Sequence, residues 1–237
     1  FNNNTRSYED LPAQVESIDW LPSGTQVLYI WLENNKATLN IGDPDTKNWK
    51  YIADMWEIDD QINISPDGKN ILYFEQNSSS STNPINLTTP DGKVWKSLVK
   101  DGYNSGVLWS PDSQKFLFGK KDPSGEVYQL WYYNLLTSEV KSLNASTTPD
   151  KAVWGADSQT VYAAVPQKGV AGGSGLTNDQ IYKIDTQSNQ NKQYDPGSGL
   201  AIDARNLFLD NASSKLFFKN AQDGALYYLD LSASAGQ

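Results

Sequence analysis

The sequence predicts an all-β fold, a β-propeller of four-stranded antiparallel blades, and three observations predict it. A turn-and-strand phrase recurs with a period in the forties, each recurrence is followed by further short alternating segments, and turn-forming residues separate every segment. The copies read DWLPSGTQVLYIW (19–31), NISPDGKNILYFE (63–75), LWSPDSQKFLFGK (108–120), VWGADSQTVYAAV (153–165) and FLDNASSKLFFKN (208–220). Their anchors, Trp20, Ile64, Trp109, Trp154 and Leu209, are 44, 45, 45 and 55 residues apart.

Each element of one repeat has its own reason. An apolar anchor ends a first strand. The Ser-Pro-Asp-Gly words that follow make a tight turn, because proline presets φ, aspartate bonds nearby backbone and glycine accepts positive φ. A β-branched or aromatic run such as Ile71, Leu72, Tyr73, Phe74 is the second strand. Alternating third segments come next: ATLNIGD, PINLTTP, YQLWYYN, DQIYKID and ALYYLDL. Polar turns (DPDTKN, PDGK, LTSE) then lead into short fourth strands, WKYIA, VWKSLV and EVKSL. The anchor tryptophans are expected to pack between blades, since aromatic side chains carry much of the burial in β cores.

The fifth copy ends after ALYYLDL, and SASAGQ (232–237) reads as a flexible tail, so this blade lacks a fourth strand. The segment NTRSYED (4–10) has no place in the first blade and is expected to supply that strand and close a five-bladed ring, which would remove an exposed edge. A larger ring, of which these are five blades, is the alternative count. On the first reading, residues 1–237 form one propeller domain.

The pattern Trp-Ser-Pro-Asp-Gly-Lys followed by an apolar strand resembles the WD-like propeller repeat of TolB-type proteins, which also occurs in propellers of prolyl oligopeptidase relatives. It is clearest at Ser65-Pro66-Asp67-Gly68-Lys69 and Trp109-Ser110-Pro111-Asp112, weaker at Trp20, Pro22, Gly24 and at Trp154, Asp157, and faint at Asp210-Asn211. The resemblance covers nearly the whole chain. It implies a non-catalytic binding or scaffolding propeller of the bacterial cell envelope, working in extracytoplasmic protein–protein assemblies. No second domain of the TolB kind is visible, so that family's partner does not carry over.

Composition narrows the chemistry. With 28 acidic against 19 basic residues the net charge is −9, and the basic residues are scattered, which argues against nucleic acid. The chain has no cysteine and no histidine. Disulfides, thiol nucleophiles, Cys-ligated zinc and an internal Ser-His-Asp triad are therefore excluded. No stretch reaches the ~20 apolar residues of a membrane span. The chain opens on Phe1 without an initiator Met or signal segment, and is read as a trimmed piece whose export signal or anchor lies upstream.

Propeller topology puts the loops between second and third strands, with the inter-blade connections, on one face. Length varies there: QNSSSSTN (76–83) and PQKGVAGGSGLTNDQ (166–180). Binding usually resides in such loops. The glycines Gly169, Gly172, Gly173 and Gly175 read as a surface excursion, because no helix or Lys-Ser/Thr follows to complete an anion cradle.

Two inter-blade connections are the candidate partner-binding site: Trp56, Glu57, Asp59 and Asp60 in DMWEIDD, with Tyr103 and Asn104 in DGYNSG. Aromatics beside carboxylates and amides suit a protein partner, or alternatively a peptide or glycan. Inward packing of Trp56 is the competing reading. No catalytic residue, metal ligand or cofactor is assigned. Asp43, Asp45, Asp59 and Asp60 do not continue as a calcium loop. The alternative to a binding propeller is a carbohydrate-binding or glycoside-hydrolase-like one using channel-mouth carboxylates, with Glu57, Asp59, Asp101 and Asp150 as candidates. A third reading makes the chain the propeller gate of a larger peptidase. The protein is expected to be a monomer.

Overall fold

Alternation along the strands decides the core. The structure, a computed structural model, describes residues 10–44, 48–55, 60–75, 83–121, 128–167, 175–194 and 200–232, with the backbone alone at 103–105. It is all-β, in four-stranded antiparallel blades of the propeller kind, and five repeats are consistent with it. Two compact units divide the chain: Phe1–Asn77 with Ile85–Ser97, and Ser78–Pro84 with Leu98–Gln237. The predicted closing strand at 4–10 falls almost wholly outside the described residues, as do Trp56, Glu57 and Asp59.

In the first unit, β1 (Val15–Trp20), β2 (Val27–Glu33), β3 (Lys36–Gly42) and β4 (Trp49–Asp54) pair antiparallel in chain order. Successive side chains point to opposite faces. One face sends Leu28, Ile30, Ala37 and Leu39 into a core shared with Ile62, Ile64, Ile71 and Tyr73. The last four come from β5 (Asp60–Ile64) and β6 (Ile71–Glu75), which pairs onward with β7 (Asn83–Thr88). Polar side chains join these two blades as well: the backbone N–H of Ile62 donates to Ser17 Oγ (3.2 Å) and that of Ile64 to Asp19 Oδ2 (2.7 Å).

β8 (Trp95–Trp109) runs unbroken from the fourth strand of the second repeat to the first strand of the third. The sequence reading had a connection at 101–106. Instead Tyr103 lies opposite Gly119, and the register shifts before Val107, where Gly106 holds φ at +82°. A bulge of this kind bends a strand without ending it.

In the second unit, β8 is followed by β9 (Lys115–Lys121), β10 (Tyr128–Asn134) and β11 (Val140–Ser142). The fourth blade is β12 (Ala152–Trp154), β13 (Thr160–Pro166), β14 (Asp179–Asp185) and β15 (Asn191–Tyr194). The fifth has three strands among the described residues, β16 (Ala204–Leu209), β17 (Lys215–Asn220) and β18 (Leu226–Asp230), as its truncated repeat predicts. Leu117, Leu130, Trp154, Val161 and Ile184 form one inter-blade core, and Tyr162, Ile181, Tyr194, Ala204, Leu216 and Phe218 form the next.

The repeated turn has one construction in all five copies. Its fourth residue is left-handed: Gly24 (φ +69°), Gly68 (+73°), Ser113 (+61°), Ser158 (+54°) and Ser213 (+51°). In the second and third copies the serine that opens the turn accepts a backbone N–H five residues on, Asn70 to Ser65 Oγ (3.0 Å) and Lys115 to Ser110 Oγ (2.9 Å). In the fifth copy Asp210 replaces that serine and does the same for Lys215 (2.9 Å). The faint repeat is therefore a full turn written with a different acceptor.

Candidate functional site

Of the predicted site residues, Asp60 opens β5 opposite Glu75 and is buried. It acts on its own blade: the Tyr73 hydroxyl is pushed up to about 12, first by burial and then by the charge of Asp60. Such a carboxylate belongs to the packing of the second blade rather than to an exposed rim. Tyr103 and Asn104 lie on the backbone of β8. Of the carboxylates considered for sugar chemistry, Glu57 and Asp59 lie outside the described residues, and Asp101 and Asp150 are engaged by neighbouring side chains. Asp101 pairs with Lys120 at 2.8 Å. Asp150 accepts from the Thr148 hydroxyl and lies 4.0 Å from Arg205. Asp43, weighed above for calcium, accepts from Asn48 Nδ2 (2.8 Å).

A cluster that sequence reasoning missed gathers the loops of the second unit. Lys151 closes a 3-10 turn, Pro149–Lys151, in the β11–β12 connection and is 5% exposed. Its ammonium donates to Thr177 Oγ1 (2.7 Å), Asp179 Oδ2 (2.6 Å) and Asp203 Oδ1 (2.8 Å), which uses all three protons. Both aspartate side chains are fully buried. Arg205 grips Asp203 as a fork, Nε to Oδ1 at 2.8 Å and Nη2 to Oδ2 at 3.1 Å.

Backbone groups complete the network. Ala204 N–H donates to Asp179 Oδ2 (2.8 Å), Thr177 N–H to Asp203 Oδ2 (3.3 Å) and Asp203 N–H to Asn220 Oδ1 (2.9 Å), while Gln222 Nε2 reaches the Thr177 carbonyl (2.8 Å). Burial alone would raise the Asp203 carboxyl, but hydrogen bonds from Arg205 and Lys151 outweigh it and hold the group well below the usual carboxylate range. Asp179 Oδ1 is buried with no hydrogen-bond partner. Lys151, Thr177, Asp203 and Gln222 come from the connections β11–β12, β13–β14, β15–β16 and β17–β18, while Asp179 opens β14, Arg205 lies in β16 and Asn220 ends β17. A sequence separation of 28 residues or more across each lysine–aspartate contact left no local motif to find.

The cluster gathers second-to-third-strand loops and inter-blade connections on one side of this unit, the arrangement expected of the variable propeller face. Residues 168–174, the body of the long glycine-rich loop, lie outside the described residues, but both flanks are held here: Thr177 by Lys151 and Asp203, and Gln167 by a bond to the Asn178 carbonyl (2.8 Å). Among the described residues no group of acidic side chains is arranged to hold a metal ion, and no helix is long and apolar enough to cross a membrane.

This fold and loop platform are those of a β-propeller. No family model matches the chain, and no curated protein does. Solved propellers do. The chain is similar to TolB from Acinetobacter baumannii at 18% identity and a TM-score of 0.57, over 90% of this chain and 54% of that one. It is similar to the β-propeller domain of the Trilobed protease from Pyrococcus furiosus, at 16% identity and a TM-score of 0.64, over 92% and 68% of the two chains. Oligogalacturonate lyase from Vibrio parahaemolyticus matches at 13% identity and a TM-score of 0.62, over 90% and 64%. The chain thus spans about half the length of the TolB structure it matches.

Proposed function

We propose that this protein is a non-catalytic binding propeller of the bacterial cell envelope that holds a protein partner on its loop-bearing face. The observation that carries this reading is the Lys151–Asp179–Asp203–Arg205 network, which ties the β11–β12 and β15–β16 connections to the starts of β14 and β16. A binding surface gains affinity when its loops are ordered beforehand, since less conformational freedom is lost on association. Likeness to TolB supports an envelope setting, and the absence of histidine and cysteine is in keeping with a surface that binds rather than reacts. Trp56, Glu57, Asp59, Asp60, Tyr103 and Asn104 remain the proposed contact residues, with Asp60 in a supporting position because it is buried.

The test is capture from a native envelope fraction with the full chain and with a Trp56→Ala, Tyr103→Ala double variant whose folding is checked by circular dichroism. The expected result is a discrete protein that also binds when purified, and binds at least tenfold more weakly to the double variant. Retention of nothing by the full chain, together with binding or cleavage of an oligosaccharide, would replace this reading with the carbohydrate one.

A further inference from the structure

Among the described residues Lys151 is the one buried lysine, and it is set against two buried aspartates, Asp179 and Asp203. All of these groups belong to the second unit. Their charges sort into two pairs. Arg205 holds both oxygens of Asp203, so those two charges answer one another. Lys151 and Asp179 are left as the other pair, with Nζ and Oδ2 2.6 Å apart and out of water. Buried charges are costly to keep, and one proton passed from nitrogen to oxygen neutralises both. The amine so formed is a nucleophile with a carboxyl group beside it.

The two oxygens of Asp179 are held differently. Oδ2 accepts from Lys151 Nζ and from the Ala204 N–H (2.8 Å). Oδ1 is buried and no hydrogen bond holds it. A carbonyl oxygen that stays needs a fixed donor to take up negative charge as its carbon is attacked, and an oxygen that leaves needs to be free. Asp203 Oδ1, 2.8 Å from the same nitrogen, is placed to take its proton during attack. The backbone fixes both reactants as well: the Asp179 N–H donates to the Ile202 carbonyl (2.6 Å) and the Lys151 N–H to the Thr148 carbonyl (3.0 Å). Such fixing removes the entropy cost that a reaction between separate molecules carries.

We propose that Lys151 and Asp179 condense after folding into an intramolecular isopeptide bond, which makes this cluster a self-modification site. The bond from Nζ to the Asp179 carboxyl carbon forms, and the bond from that carbon to Oδ1 breaks. An ammonium and a carboxylate together hold the atoms of an amide and one water. Two of the three nitrogen protons leave with Oδ1, one of them by way of Asp203, and the third stays on the amide nitrogen, facing Asp203 Oδ1. No oxidant, cofactor or second reactant enters. The ion-paired network described above is the state from which the bond forms. Its product replaces a buried ion pair by a neutral amide whose oxygen keeps Ala204 as donor. It also joins the β11–β12 connection to the start of β14, across a separation of 28 residues.

The mass of the intact full chain under denaturing conditions, read on fresh protein and again over several days at neutral pH, tests this. The expected result is a species lighter than the sequence mass by one water, which is the main form by the end. Proteolysis of that species should yield a branched peptide joining the segments around Lys151 and Asp179. Lys151→Arg keeps the positive charge but lacks the amine, and should keep its full sequence mass, as should Asp179→Ala. Fresh chain that still has its full mass should gain no product while held in urea, because only the fold brings the two groups together. Any of three results overturns the proposal: the sequence mass throughout, a branched peptide that joins Lys151 to Asp203, or a water loss that persists in Lys151→Arg and so comes from cyclisation at another aspartate.

Discussion

Lys151 shows how much one side chain can carry. Its ammonium is out of water, and the two buried carboxylates beside it are tolerable only while it stays. Lys151→Met should therefore lower stability by about 3–5 kcal/mol, because removing one partner leaves buried charge uncompensated. Urea unfolding at neutral pH measures it, and a loss under 1 kcal/mol would mean that the cluster is not closed to water. The same network sets an acid response. Asp203 is depressed in the folded protein, so its stabilising contribution is complete above the unfolded aspartate value of ~3.9 and is lost as pH falls below that toward the folded value. Melting temperature should thus fall steeply below about pH 4, and less steeply in Lys151→Met, which has already lost one of the two cations holding Asp203 ionised.

At the scale of the element, the five turns solve one backbone problem with two residue types. Glycine fills the left-handed position at Gly24 and Gly68, while serine occupies it at Ser113, Ser158 and Ser213. Ser158 is retained for a contact: its Oγ accepts from the Asp112 N–H at 3.0 Å and its carbonyl accepts from Lys115 Nζ at 2.9 Å. Ser213 shows no side-chain bond of that kind, since Asp210 makes the fifth turn's contacts to Ser214 and Lys215. An L-residue in this conformation costs about 1–2 kcal/mol, against roughly 0.5–1 kcal/mol for glycine's greater unfolded freedom. Ser213→Gly should accordingly raise stability by about 0.5–1 kcal/mol and the melting temperature by roughly 1–4 °C. A lower melting temperature would mean that the serine hydroxyl has a role.

For the molecule as a whole, stability is built from neighbour to neighbour, as in other repeat architectures. The last blade covers Tyr162, Ile181 and Tyr194 with Ala204, Leu216 and Phe218, and contributes Asp203 to the Lys151 cluster. A chain ended after Tyr194 loses both at once. It should melt well below the full chain and bind a hydrophobic dye, as read by scanning fluorimetry. An unchanged melting temperature would show that the fourth blade holds without this cover.

Much of the fold was legible in the sequence because a turn and its flanking strands are local. Proline, aspartate, glycine and an alternating run lie within a dozen residues, and they dictate the same geometry wherever they occur, even when Asp210 stands in for serine. That the fifth repeat shows three strands among the described residues was readable for the same reason. The candidate site was less legible. Asp60 looked like a rim carboxylate, and only the pairing of β5 with β6 buries it beside Tyr73. The expected connection at 101–106 is one strand, since a bulge at Gly106 carries the chain through without a break. Lys151 and Asp203 sit in separate connections and Asp179 opens β14, each unremarkable alone, and they become a cluster only when these distant stretches of chain have folded together. The sequence by itself determined the repeating unit, its turns and the acidic, histidine-free chemistry of the protein. Tertiary structure alone decided which charges are buried together, because burial and charge pairing depend on residues brought together from far apart along the chain.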